Sequence, residues 1–456
     1  MLRMGREADA ERDALLAISH RPGWARGYQR LGQALAQGRR WKEAARALRR
    51  GEAALRQRSG AAMELTRLLD QVAVDAALEG CEDGFDGRVL EVRPAGEGEE
   101  WRGLPAPADP SLDAPPPALA AALLPGPGGD AGLGASGSAA LAAAWQRTSF
   151  RGLHEAVEAA RDGDRILLLP GTHATGHAGR PVVVTKRLLI KSAGGDGAAV
   201  VDHRGNTAAL KLARACVVAG LRLDATGFAE AVLVSGDALV RALLLRCDVS
   251  SSGGVALVAV GGSRAVLGRC AARGARGGAR VGQRCGVELV GCTLEDCGGP
   301  AVAASGGASV ALSSCVLARG KHDGVVASGS ARVAMVGTEV TGFRGPGVDV
   351  SGRASVALSR CQVRGNRGGV FAWDEGRWDA ADCYIDGGDS HAVLVDADAR
   401  PDPTGTTLHG VVHATDLGWE GIRTGGNTVV QAEPTELPPD VEPFVYRPDP
   451  YQPAFG

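Results

Sequence analysis

Aromatic side chains are scarce: 7 Trp, 4 Tyr and 7 Phe make up only 4% of the 456 residues. Asparagine is scarcer still, confined to Asn206, Asn366 and Asn427, and none of them opens an Asn-x-Ser/Thr sequon. Apolar runs such as Ala118 to Leu124 fall far short of the roughly 20 residues that a membrane helix needs. Arg3, Arg6, Glu7 and Asp9 precede any apolar stretch, so no signal peptide is read, and a cytoplasmic chain without a membrane role is expected. The net charge of −2 speaks against nucleic-acid binding by bulk electrostatics. Glycine is abundant, at 67 residues, but without a G-X-Y period collagen is excluded, and 45% hydrophobic content excludes wholesale disorder. So much glycine in a foldable chain means many turns and many short elements.

Charge is unevenly spread. Residues 1–60 hold 14 Arg/Lys against 6 Asp/Glu, whereas residues 61–140 hold 4 against 14. Residues 1–80 have helical spacing, with stops at Pro22-Gly23 and Gly38. Tyr28, Leu31, Gly32, Leu35, Gly38, Trp41, Ala44, Leu48 and Gly51 resemble the 34-residue tetratricopeptide pattern, in which Gly32 and Ala44 belong where two helices touch. The stretch from Trp24 to Arg30 is also similar to the last repeat of co-chaperone tetratricopeptide domains. That resemblance implies that Arg26 and Arg30 could grip an acidic C-terminal peptide. Residues 81–140, acidic and then rich in Pro, Gly and Ala, read as a tether, and 431–456 as a Pro-rich tail.

The strongest signal lies in residues 141–430. Cys247, Cys270, Cys292, Cys315, Cys361 and Cys383 recur at multiples of 22–23 residues, and Thr338 fills the one vacant step. Around each anchor three short alternating strands repeat, as in Gly324-Val-Val-Ala-Ser-Gly-Ser-Ala-Arg-Val-Ala-Met and Gly347-Val-Asp-Val-Ser-Gly-Arg-Ala-Ser-Val-Ala-Leu. Three strands per fixed period predict a mainly β, single-stranded right-handed parallel β-helix of about 11–12 coils. Turns stacking at about 4.8 Å favour slim inward residues, which explains both the scarce aromatics and the wealth of Val, Ala and Cys. The cysteines should form an inward column; their spacing fits neither zinc nor disulfide bridges. The string from Phe150 to Gly171 resembles the opening of pectin-lyase-like β-helices, where a helix capped by Thr148 or Ser149 covers the first coil. The body also resembles the carbohydrate-binding/sugar-hydrolase-type β-helix of F-box-only and Shc-binding protein families, which implies a recognition surface.

Polysaccharide chemistry on such a tube needs carboxylates on adjacent coils. Asp323 shares its repeat phase with no other acid, so His322-Asp323 reads as a surface turn. Acids and aromatics gather instead between 371 and 402. There Asp374 and Asp396 share a phase, and Trp373 and Trp378 lie beside them as candidate sugar-binding residues. The expected function is a non-catalytic scaffold for other proteins, without cofactor or metal. The alternative is a polysaccharide-binding or polysaccharide-cleaving lyase or hydrolase, with carbohydrate as partner and calcium as its possible cofactor.

Overall fold

The computed structural model describes residues 7–54, 60–82, 85–94, 148–175, 180–395, 399–413, 422 and 427–430. The Pro-rich tail from 431, most of the expected tether (95–140) and the first residues assigned to the β-helix (141–147) lie outside the described residues. Helices α1 (Glu7–His20), α2 (Ala25–Gln37), α3 (Trp41–Ala54) and α4 (Gly60–Glu82) come first. Gly32 meets Leu48 so closely that a Cβ there would lie 2.5 Å from that side chain, and Ala44 is fully buried. Both small residues therefore stand where these helices pack closely.

Beyond the helices, the described strands wind a parallel solenoid of about 11 turns. One strand of each turn joins a 13-stranded sheet, and the other two join a 21-stranded sheet. Register is strict over successive turns: Val310 pairs with Val333, and Val333 with Val356. Alternation buries every second side chain, and the core runs the length of the tube from Leu90 to Leu408.

At one corner the backbone turns left-handed. Arg246, Arg269, Gly291, Ser314, Gly337, Arg360, Asp382 and Gly405 have φ between 52° and 60°. The first seven each immediately precede a residue of the predicted column, and Gly405 precedes Thr406, one step further on. The nine described cysteines are free and buried. Their sulfurs also do hydrogen-bonding work: Cys270 Sγ accepts the Cys247 N–H at 3.5 Å and points its own S–H at Leu244 O, 3.4 Å away. Thr406 Oγ1 does the same for Cys383 N–H and Ala380 O, at 3.4 and 3.1 Å. Asn427 continues the file by accepting the Thr406 N–H at 2.9 Å. A small group that both donates and accepts is what this corner needs, which explains why Cys, Thr and Asn interchange there. Burial pushes the Cys216 thiol up to about 12 and the Cys297 thiol to about 11, so these sulfurs stay protonated and unreactive.

Two boundaries differ from expectation. Strand β1 (Val89–Val92) falls inside the span read as tether, yet it sits between β2 (Thr148–Phe150) and β3 (Arg165–Leu168) at the N-terminal end of the 13-stranded sheet. Its Val-Leu-Glu-Val alternation buries Leu90 and Val92 completely. Asp164 fastens it, accepting from the Arg88 backbone at 2.9 Å and the Arg88 guanidinium at 2.8 Å. The cap, α5 (Leu153–Ala159), starts at Gly152 because Thr148 and Ser149 are taken up by β2.

Helix α4 lies on the 13-stranded sheet. Val74 packs with Leu189, Val217 and Leu245. Gly268 has no side chain to obstruct it; a Cβ there would come within 2.9 Å of Val74. Asp75 binds Arg246 and, at 3.0 Å, Arg269, while Asp70 accepts from Ser313 and Ser314 at 2.7 and 2.6 Å. Asp75→Ala leaves two guanidiniums without their carboxylate and should weaken docking by about 1–3 kcal/mol. The check is hydrogen exchange: α4 amides should exchange faster while the cysteine-column amides do not, and unchanged α4 protection would refute the clamp.

Two histidines are buried in the first turns. His203 contacts Thr175 Oγ1 at 2.6 Å, and His173 Nε2 contacts Leu169 O at 2.7 Å. Burial lowers the proton affinity of both imidazoles. The unfolded chain therefore binds more protons, so their contribution is intact above the unfolded value of about 6.5 and is lost as pH falls toward their lower folded values. Thermal unfolding followed from pH 7 to pH 5 should show falling stability that His173→Gln and His203→Gln blunt.

Candidate active site

The residues singled out in the sequence do not form one site. Trp378 is fully buried in the core, stacked in register on Val356. It is an inward strand residue and offers no face to a sugar. Asp374 occupies an exposed left-handed turn, and its Oδ2 accepts the Gly352 N–H at 3.2 Å. Asp396 lies outside the described residues. Arg26 and Arg30 are exposed, one helical turn apart on α2. Only Trp373 sits among groups with unusual chemistry.

Those groups are Asp323 and Asp349, on successive turns of the 21-stranded sheet. Asp349 points outward from strand Pro346–Val350, flanked by Val326 on one side and Phe371 on the other. It is nevertheless only 6% exposed. Phe371, itself 7% exposed, meets Trp373 edge-on at 6.2 Å and His391 at 6.4 Å. Burial pushes the Asp349 carboxyl up to about 7; repulsion from Asp323 adds to this, and the nearby Trp373 indole offsets part of it without reaching full hydrogen-bond geometry. Burial likewise pushes Asp323 up to about 6, against a small opposing pull from His322. Asp323 fits only because residue 345 is glycine: a Cβ there would lie 1.9 Å from its Oδ1. The arrangement is two carboxyls of raised proton affinity on successive turns, Asp349 holding its proton more tightly than Asp323.

A search by repeat phase could not find this pair. Asp323 precedes its strand while Asp349 lies within the next one, 349 − 323 = 26 positions on rather than 23. The available signal was a lone Asp in the outward phase of Gly347-Val-Asp-Val, where other turns place Val326 or Ala303. Among the described residues no group of three or more His, Cys, Asp or Glu side chains is placed to hold a metal ion.

A family model described as a right handed beta helix region matches residues 230–387 and 302–415. The chain thus carries a right-handed β-helix region. The matched residues leave the N-terminal helices outside. No curated protein matches the sequence. Among solved structures, the β-helix is similar to the A-module of the Azotobacter vinelandii mannuronan C-5 epimerase AlgE6, with 15% identity, a TM-score of 0.38, and coverage of 61% of this chain and 93% of that one. It is also similar to the pectate lyase Pel9A, with 15% identity, a TM-score of 0.34, and coverage of 59% and 72%.

Proposed function

We propose that this β-helix hydrolyses glycosidic bonds, with Asp349 as general acid and Asp323 as general base. The supporting observation is the pair of carboxyls of raised proton affinity on successive turns beside Trp373. Asp349, still partly protonated near pH 7, donates to the glycosidic oxygen as the C–O bond to the leaving sugar breaks. Asp323, largely ionised there, takes a proton from the water whose oxygen bonds to the anomeric carbon. Trp373, half-buried, supplies the apolar face that a sugar ring stacks against, with Phe371 packed behind it. Release of reducing ends from a panel of polysaccharides tests the reading, with Asp323→Asn and Asp349→Asn as controls. If the unaltered protein releases none, the proposal fails.

Protein binding by the helical head is a second reading, favoured by the exposed Arg26 and Arg30 at one-turn spacing and by Trp24, 42% exposed beside them. It predicts that an acidic C-terminal peptide binds the full chain. Arg26→Ala with Arg30→Ala should weaken that binding roughly tenfold, as expected for lost charge-assisted hydrogen bonds. Equal titration curves for the two proteins would reject it.

A further inference from the structure

A second feature lies up the tube from the carboxyl pair. An open groove of roughly 570 Å³ crosses successive turns of the 21-stranded sheet, from Asp202 to Lys321. Its charged lining comprises Asp202, Arg222, Asp224, Arg273, Asp296 and Lys321, three anions and three cations. Five of the six are already paired. Arg222 holds Asp224 at 2.9 Å, Arg204 holds Asp202 at 3.1 Å, Arg273 holds Asp248 at 3.1 Å, and Arg319 holds Asp296 at 3.0 Å. Ser250 Oγ also donates to Asp224 at 2.7 Å. Lys321 has no partner among the described residues, and two residues further along the chain stands Asp323. The groove thus reaches a residue two positions before Asp323.

We infer that this groove binds a neutral, hydroxyl-rich polysaccharide, rather than a polyuronate, and leads it to Asp323 and Asp349; this rests on the glycan-hydrolysis reading. A polyanion would need free cations along its path, and the groove offers one. It would then meet two further carboxyls. Paired carboxylates and guanidiniums, together with the hydroxyls of Ser250, Ser252 and Thr226, suit hydroxyl groups, which donate and accept at once. Two positions beyond the lining residue Thr226, Phe228 is 68% exposed, with the Arg276 guanidinium 5.2 Å from its ring centroid. Such an exposed ring is a platform for the apolar face of a sugar.

The test is affinity electrophoresis of the full chain through gels containing dextran, mixed-linkage β-glucan, xylan or galactomannan, against polygalacturonate and alginate. Retardation by a neutral polymer is expected, unchanged from about 50 mM to about 500 mM salt because no net charge is neutralised. Phe228→Ala, an exposed position, should weaken it roughly five- to tenfold. Retardation confined to polyuronates, fading with salt and lost in Lys321→Ala, overturns the inference; so does retardation by none of the polymers. Binding of a neutral polymer without release of reducing ends would sink the hydrolase reading and leave the groove assignment standing. Cleavage of a polyuronate, lost in Asp349→Asn, would do the reverse.

Discussion

Asp349→Asn should cut polysaccharide hydrolysis by about 10²- to 10⁴-fold, the span supplied by a general acid, while making the protein more stable in alkali. The two effects share one cause. Burial raises the folded carboxyl to about 7, whereas the unfolded chain ionises near the ordinary value of about 3.9. The folded state therefore holds a proton that the unfolded state has released, so stability is full below about pH 4 and drains away as pH climbs through about 7. Full ionisation costs on the order of 4 kcal/mol as an upper bound, and the uncharged amide avoids it. Guanidinium unfolding at pH 6 and pH 8.5 checks the stability half: the unaltered protein should weaken toward pH 8.5 and Asp349→Asn should not. Activity should fall on the alkaline side as Asp349 loses its proton and on the acid side as Asp323 gains one. Full activity in Asp349→Asn would end its role as the acid, whatever the stability data show.

Trp378→Ala should destabilise the later turns by about 3–5 kcal/mol, as expected for emptying a large buried aromatic site. Its side chain is fully buried, in register between Val356 and Pro401 on the neighbouring turns. Each turn of a solenoid leans on its neighbours, so the cavity should loosen the following turns first. Limited proteolysis should open the segment from Arg377 onward while Cys247 to Cys315 stay protected, and the denaturation midpoint should fall. If Trp378→Ala unfolds like the unaltered chain and only loses affinity for a glycan, the side chain would have to be a ligand platform after all. Trp373→Ala should behave oppositely, changing the site chemistry and leaving the tube intact.

The contrast between these two tryptophans shows what could be read early. Trp378 stands 22 positions after Val356, in the inward phase of Arg-Trp-Asp-Ala, so alternation already placed it inside; grouping it with nearby acids obscured that. Strand β1 was similarly available in Val-Leu-Glu-Val but was hidden among acidic neighbours. The role of Gly268 under α4 had no such signal, because nothing local distinguishes a glycine that admits a helix from one that turns a corner.

From its sequence alone this protein determined a parallel coil with a step of 22–23 residues, three strands per turn, and a file of thiols along one inner corner. Those properties repeat in every turn, so each copy restates the same short-range rule of alternation and stacking. Tertiary structure alone decided that Asp323 and Asp349 influence each other across turns, that Trp373 lies near Asp349, and that α4 is strapped along the tube. The physical reason is that a carboxyl's proton affinity depends on what packs over it and which charges face it across turns. Those neighbours come from different phases of the repeat, where a periodic pattern holds no record of them.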